Sequence, residues 1–508
     1  MRRFSFGSAA LVVIGVVFVA TAGTLRAQDL AAFEKNLTEH RLDNGLTVLV
    51  YERPTAPVVS FFTLVDVGGV REVPGITGIA HMFEHMAFKG TTTIGTTNYK
   101  AEKKAMEAED AAFHAYEIER NKPGGGDPEK LAQLEKAWKD AQEQAGKYVV
   151  NNEFGEVVDQ AGGVGMNAFT GSDVTGYMFS LPANKVELWA YLESERFLDP
   201  VFREFYKERD VVMEERRLGE NQPIGRLIEQ ALATAFTAHA YRLPVVGYMS
   251  DLQSFTRQDA EAFYRKYYVP SSMIVTVVGD VDSDQVVPLV TKYFGRLPTR
   301  PAPDALRTIE PKQTTERFIT MPDESQPVYC EAYHKPSATD PEEAVYTVIS
   351  DILSSGRTSR LYRSLVVDKK VAAQAFAFSG FPGDKYPNLY LLASIPAPGQ
   401  TNEANQEAIR KELERLQNEA VSDEDLTRAK IRAKAALIRG MQSNSGIAEQ
   451  LASYEMLYGD WRELFRQVER IDKVTKEDVI RVAKATFVPT NRTVAMIVHD
   501  DGAADASE

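Results

Sequence analysis

Two kinds of apolar pattern share this chain. Short β-branched or aromatic runs, bounded by turn residues, read as strands, and stretches with 3.6-residue periodicity read as helices. Leu46 to Tyr51, Val58 to Val67, Tyr177 to Leu181 and Met273 to Val278 are strand-like. Between and after them, Ile76 to Phe88 and residues 183–197, 203–219 and 283–294 have helical spacing. Leu297-Pro298-Thr299-Arg300-Pro301-Ala302-Pro303 then opens a Pro-rich linker over 297–315. Beyond it the layout recurs. Pro327 to Tyr333, Ala372 to Phe378, Asn388 to Ile395 and Thr493 to Val498 read as strands, and Glu342 to Leu353 and residues 403–419, 423–440, 446–458 and 475–487 as helices. Mixed runs without strict βαβ alternation predict an α+β fold in two parts, 28–296 and 316–500, each a mixed sheet with helices on one face. Their common order suggests an internal duplication, although identity between the halves is low.

One segment is surplus to this plan. Residues 103–150 read as a charged helical hairpin, with Met106, Phe113 and Tyr116 on one stripe and Leu131, Leu134 and Trp138 on the other. Pro123-Gly124-Gly125-Gly126 supplies the turn, Asp127 an N-cap and Pro128 the first helical position. The pattern suits either a solvated excursion or a docking arm.

The N-terminus adds a compartment. Arg2 and Arg3 precede an apolar run from Ala9 to Ala22, which is short for a membrane span and reads as a signal peptide over 1–27. Cleavage fits after Ala22 or after Ala27, and the setting is periplasmic or secreted. No other stretch approaches a membrane span. The leader holds three arginines and no acid, so its loss takes the formal charge from −14 to −17. This balance disfavours nucleic acid as a partner and suits cationic peptides. The lone Cys330 rules out an intramolecular disulfide, and residues 501–508 form an acidic tail.

Chemistry concentrates at His81-Met82-Phe83-Glu84-His85. In a helix His81 and His85 lie one turn apart on the same side, with Glu84 beside them. Two imidazoles at i,i+4 suit one zinc ion, and a carboxylate next to them suits proton transfer to and from water. Only seven histidines occur in 508 residues, so this spacing is informative. A catalytic zinc needs a third protein ligand and an open position. Glu208 to Glu215 is the best region for it: Glu208 and Glu215 share a helix face, whereas Glu214 is turned about 100° away.

The order H-x-x-E-H is that of the inverzincins, and His81 to Gly90 resembles the zinc helix of the pitrilysin/insulinase family. Met166-Asn167-Ala168-Phe169-Thr170 resembles that family's substrate strand, and Glu208-Arg209-Asp210-Val211-Val212-Met213-Glu214-Glu215 its third-ligand helix. The likeness spans residues 36–500. It implies two homologous α/β-roll domains and a zinc metalloendopeptidase. His81, His85 and Glu215 would hold one Zn2+, Glu84 would be the general base and Glu208 an acid behind the ligands. Asn167, Ala168 and Phe169 would bind peptide substrate as an added strand.

The resemblance fails in one place. The family's C-terminal domain usually carries an Arg, and a Tyr seven residues later, that help hold the scissile carbonyl. After Ser359-Arg360-Leu361-Tyr362 these positions fall on Val366 and Ala373. Half-size members such as the mitochondrial processing peptidase work as two-chain assemblies. The resemblance therefore implies a homologous half-size partner supplying Arg and Tyr in a heterodimer, or a homodimer. The alternative is a non-catalytic peptide-binding or scaffold subunit.

Overall fold

The computed structural model describes residues 27–499. The leader up to Arg26 and the acidic tail lie outside them. Eleven strands form two mixed sheets. The first holds β1 (Leu37–Arg41), β2 (Thr47–Glu52), β3 (Val58–Val65), β4 (Val164–Thr170), β5 (Thr175–Pro182) and β6 (Met273–Gly279), in the order β1-β2-β6-β3-β5-β4. The second holds β7 (Arg317–Asp323), β8 (Val328–Lys335), β9 (Ala372–Phe381), β10 (Asn388–Pro396) and β11 (Arg492–His499), in the order β7-β11-β8-β10-β9. Without β1 the two orders are the same. Each also has its one parallel pair in the same place, β2 with β6 and β7 with β11. This shared topology is structural support for the duplication that sequence identity left open. Residues 298–314, between the sheets, carry no regular structure.

Each sheet carries helices of its own half on one face, as expected. On the first, Val48, Val50, Phe61, Val275 and Val277 pack with buried residues of helices Ile79–Met86, Val186–Leu198 and Ser283–Phe294. The opposite face is also buried, by a helix from the other half. Leu49, Phe62, Leu64, Ile274 and Val278 meet Ile447, Ala448, Leu451 and Ala452 of helix Asn444–Tyr458. The exchange is reciprocal, because Leu227 and Ala231 of helix Pro223–Ala235 pack on Val328, Ala495 and Ile497 of the second sheet. The two donated helices hold matching places, each third after the second strand of its hairpin (β5 or β10). Burying both faces explains why β3 and β6 are almost continuously apolar.

The hairpin forms from helices Tyr99–Arg120 and Pro128–Gly146, starting four residues before the expected bound and ending four before it. Asp127 caps the second helix by accepting from the Lys130 N–H, and Pro128 opens it. The inner stripe is bound to the body of the protein. Phe113 is fully buried, and its ring lies 4.9 Å from Trp138 and 4.4 Å from Tyr206. Arg257 donates to Glu109 and to Asp110 at 2.6 Å each, and Arg203 donates to Glu102 at 2.8 Å. The base of the hairpin is thus part of the N-terminal core, and near its tip Arg120 donates to the Gln253 carbonyl at 3.3 Å.

Candidate metal centre

The helix Ile79–Met86 buries Ile79, Ala80, Met82, Phe83 and Met86 and leaves His81, Glu84 and His85 half-buried on the other side. Its start is fixed by Gly78, whose φ is +91°; a Cβ there would come within 2.5 Å of the Val246 carbonyl. Buried Glu72 accepts the Gly78 and Ala80 N–H groups at 2.8 Å each, completing the N-terminus. Burial pushes the Glu72 carboxyl up to about 8.

The second helix, Phe205–Glu220, brings Glu208 and Glu215 to this face, one turn-pair apart as their spacing predicts. Glu215 lies 3.6 Å from Nε2 of His81 and 3.7 Å from Nε2 of His85. Among the described residues these three form the one group whose His and acidic donor atoms all lie within 4.8 Å of one another. Two imidazole nitrogens and a carboxylate make a donor set suited to zinc. The residues fit the ion, and one side of the group opens to a cavity. Glu214 points away to Arg217, as the helix geometry requires.

The two histidines are held differently. His85 Nδ1 lies 2.9 Å from Glu208 Oε1, and Lys89 Nζ lies 2.5 Å from Glu208 Oε2. With Nδ1–H donated to Glu208, the Nε2 lone pair of His85 faces Glu215. Burial alone would lower His85, but the bond to Glu208 and the charges of Glu215, Glu208 and Glu84 outweigh it and raise it. Burial, then the charge of His85, holds His81 down at about 4. Its Nδ1 is buried with no partner. Burial opposes ionisation of Glu208 too, yet its bonds from His85 and Lys89 keep it at about 2.

Glu84 sits beside this cluster and accepts a 2.6 Å hydrogen bond from the Thr170 hydroxyl at the end of β4. Burial raises its pKa. β4 is the edge of its sheet, paired with β5 alone through Asn167–Met178, Ala168–Tyr177 and Phe169–Gly176. A cavity of about 480 Å3 joins Glu84, His85 and Glu208 to Met166, Asn167 and Ala168. Its far wall is Val149 to Glu153, where the hairpin returns. Phe169 does not line it. Its ring lies across Gly176 and 6.3 Å from Phe62, and is part-exposed there.

Four supporting residues escaped the sequence. Glu72, Lys89 and Arg209 are ordinary charged positions until the fold gives them partners, and Thr170 was legible only as the last letter of the substrate-strand motif. Arg209, one residue past Glu208, lies 4.5, 5.1 and 5.6 Å from the ring centres of Phe113, Tyr206 and Trp138. Val366 packs half-buried against the C-terminal core, and Ala373 is exposed in β9. Arg360 faces a separate cavity in the C-terminal half.

Comparison with known proteins gives the geometry its relatives. The profile described as Insulinase (Peptidase family M16) matches residues 47–118, and that of the Peptidase M16 inactive domain matches 254–432. The chain belongs to the M16 family. This M16 chain is 28% identical to the zinc protease PqqE of Helicobacter pylori, over 95% of its own length and 96% of the relative's. It is 24% identical to a probable mitochondrial-processing peptidase subunit beta of Arabidopsis thaliana, covering 89% and 76% of the two chains. A crystal structure of a protease from Helicobacter pylori superposes with TM-score 0.76 at 27% identity, covering 91% of the M16 chain and 99% of that structure. The periplasmic protease PqqL from Escherichia coli shares the fold at TM-score 0.68 and 18% identity. There the M16 chain covers 48% of the structure, so it corresponds to about half of that protein.

Proposed function

We propose that this M16 chain is a zinc-dependent endopeptidase acting on peptides or unfolded segments in the periplasm or outside the cell. One observation carries the reading: His81, His85 and Glu215 converge on one point, with Glu84 beside it under the free edge of β4. When bound, zinc supplies a Lewis acid that activates water at neutral pH. The free edge of β4 orders an extended peptide by main-chain hydrogen bonds, with Asn167 and Ala168 at the cavity. Glu84 takes the proton from the attacking water and returns it to the leaving amine. Its raised pKa and its bond to Thr170 suit a group that must change protonation in each turnover. Glu208 holds His85 in the tautomer whose Nε2 is free.

The chain is about half the length of PqqL, and Val366 and Ala373 provide no donor for the scissile carbonyl. Both support assembly with a second half-size chain, different or identical, that completes the clamp. The same two residues favour a second reading, a peptide-binding subunit without turnover of its own. The test is cleavage of an unstructured reporter peptide by the purified chain, before and after chelation and zinc return, beside metal analysis. Zinc-restored cleavage that Glu84→Gln removes, with metal retained, supports the enzyme. Stoichiometric zinc with no cleavage, alone or with a genome-neighbour partner, sinks it.

A further inference from the structure

The C-terminal half contains a pocket between the counterparts of the two helices that carry the candidate metal ligands in the N-terminal half. The shared strand order pairs the motif helix Ile79–Met86 with Glu343–Ser354, the first helix after each opening strand pair. It likewise pairs Phe205–Glu220 with Asp423–Gly440, the second helix after β5 and β10. Between Glu343–Ser354 and Asp423–Gly440, beside helix Asn402–Asn418, lies a cavity of about 250 Å3. Where the first half gathers histidine and glutamate, this one gathers arginines 360, 363, 415, 428 and 432.

Three of the five are answered by carboxylates: Arg415 by Glu412 at 2.9 Å, Arg428 by Asp425 at 3.3 Å, and Arg432 by Asp351. Arg360 and Arg363 are not. Neither side chain makes a hydrogen bond or ion pair within the described residues, and the remaining lining acid is Asp368 at the exposed rim. Nη1 of Arg360 is buried without an acceptor, and the hydroxyl of the preceding Ser359 is buried without a partner as well. Leaving buried donors unpaired is costly, more so on a charged group. Burial, then the charge of Arg415, holds the Arg360 pKa below its ordinary value against the opposite pull of Glu412, Asp425 and Glu419. The wall carrying Arg363 is a π-helix, Tyr362–Asp368, a rare conformation that is frequent at functional sites. Acidic residues are in excess in this chain, whose formal charge is −14, yet among the described residues none pairs directly with Arg360 or Arg363.

We propose that this pocket binds a compact oxyanion, a phosphoryl or carboxylate group, on the guanidinium groups of Arg360 and Arg363. Planar guanidinium forks match such groups in two-point hydrogen bonding, and the cavity is too small for a folded partner. The duplicated halves would then have diverged in chemistry, one keeping a cation site and the other an anion site. The inference does not depend on peptidase activity.

The test is calorimetry on the full chain with inorganic phosphate and, separately, succinate, against sodium chloride at matched ionic strength. Saturable binding of either oxyanion, weakened at least tenfold in Arg363→Ala, is expected. Phosphate alone would assign a phosphoryl ligand and succinate alone a carboxylate. Arg363 is exposed and unpaired, so its alanine variant keeps the fold; Arg360→Met is the second probe, with circular dichroism and the melting temperature as its folding control. Oxyanion binding no stronger than chloride, or binding undiminished in Arg363→Ala, overturns the proposal. The latter result would also catch phosphate held at the zinc centre.

Discussion

Nδ1 of His85 lies 2.9 Å from the Glu208 carboxylate, whereas Nδ1 of His81 is buried with no hydrogen-bond partner among the described residues. The two imidazoles are therefore unequal before any ion arrives. One is oriented by a carboxylate and has its pKa raised by its acidic neighbours; the other is held down by burial.

Replacing Glu208 tests the oriented ring. Glu208→Gln keeps the shape but removes the charge that fixes the His85 tautomer and pairs with Lys89. Zinc affinity, measured by competition with a chromophoric chelator, is expected to fall about 10–100-fold. Unchanged affinity would mean that Glu208 does not orient the site.

The inequality also predicts a pH dependence. The folded pKa of His85 is raised, so the favourable contribution of its charged form is complete below the unfolded value near 6.5 and is lost as pH climbs through the folded value. Metal needs the neutral ring, so proton and zinc compete there. His81, held at about 4, has no proton to lose near neutrality. Zinc affinity should rise about tenfold per pH unit below the His85 pKa and level off above it. A slope of two protons per ion over pH 5–7 would show that both rings titrate together.

The hairpin is expected to matter for the metal as well as for stability. Its Phe113 and Trp138 enclose Arg209 on the helix that also carries Glu208 and Glu215. Trp138→Ala should cost about 3–5 kcal/mol in denaturant unfolding. Arg209→Met, which keeps most of the packing volume, should weaken zinc binding with a smaller loss of stability. Equal zinc affinity in folded Arg209→Met would limit the hairpin to a stabilising role.

Proline scanning of β4 tests the edge. Successive N–H groups of a strand point to opposite sides, so of Asn167→Pro and Ala168→Pro one removes a free edge donor and the other a bond to β5. The first should raise KM for peptides with little change in the melting temperature; the second should destabilise. Reporter cleavage at wild-type KM in both variants would move the substrate away from β4.

The candidate zinc face was legible because a helix converts spacing directly into direction. His81, Glu84 and His85 need no tertiary contact to share a side, and the same holds for Glu208 and Glu215 against Glu214. Strands with buried faces, such as β3 and β6, were legible for a similar reason. β1 was not: it is an exposed edge strand whose polar residues carry no alternation to read. β7 alternates in burial, but with Arg317, Pro322 and Asp323 at its ends only a short apolar stretch remains. Helix Pro223–Ala235 is amphipathic, but that its stripe would pack partly on a sheet far along the chain, through Leu227 and Ala231, was not legible in the sequence.

What the sequence determined alone is thus local: the face that carries His81, Glu84 and His85, the hairpin with its Asp127 cap, and two halves of like order. The tertiary structure decided everything that depends on which surfaces meet. It exchanged a helix between the halves, bound the hairpin to Arg209, and placed Thr170 on Glu84 and Lys89 on Glu208. It also gathered five arginines where the other half gathers histidine and glutamate. The physical reason is range. Helical direction follows from a few covalent dihedrals, whereas burial and charge pairing follow from contacts between residues up to hundreds of positions apart.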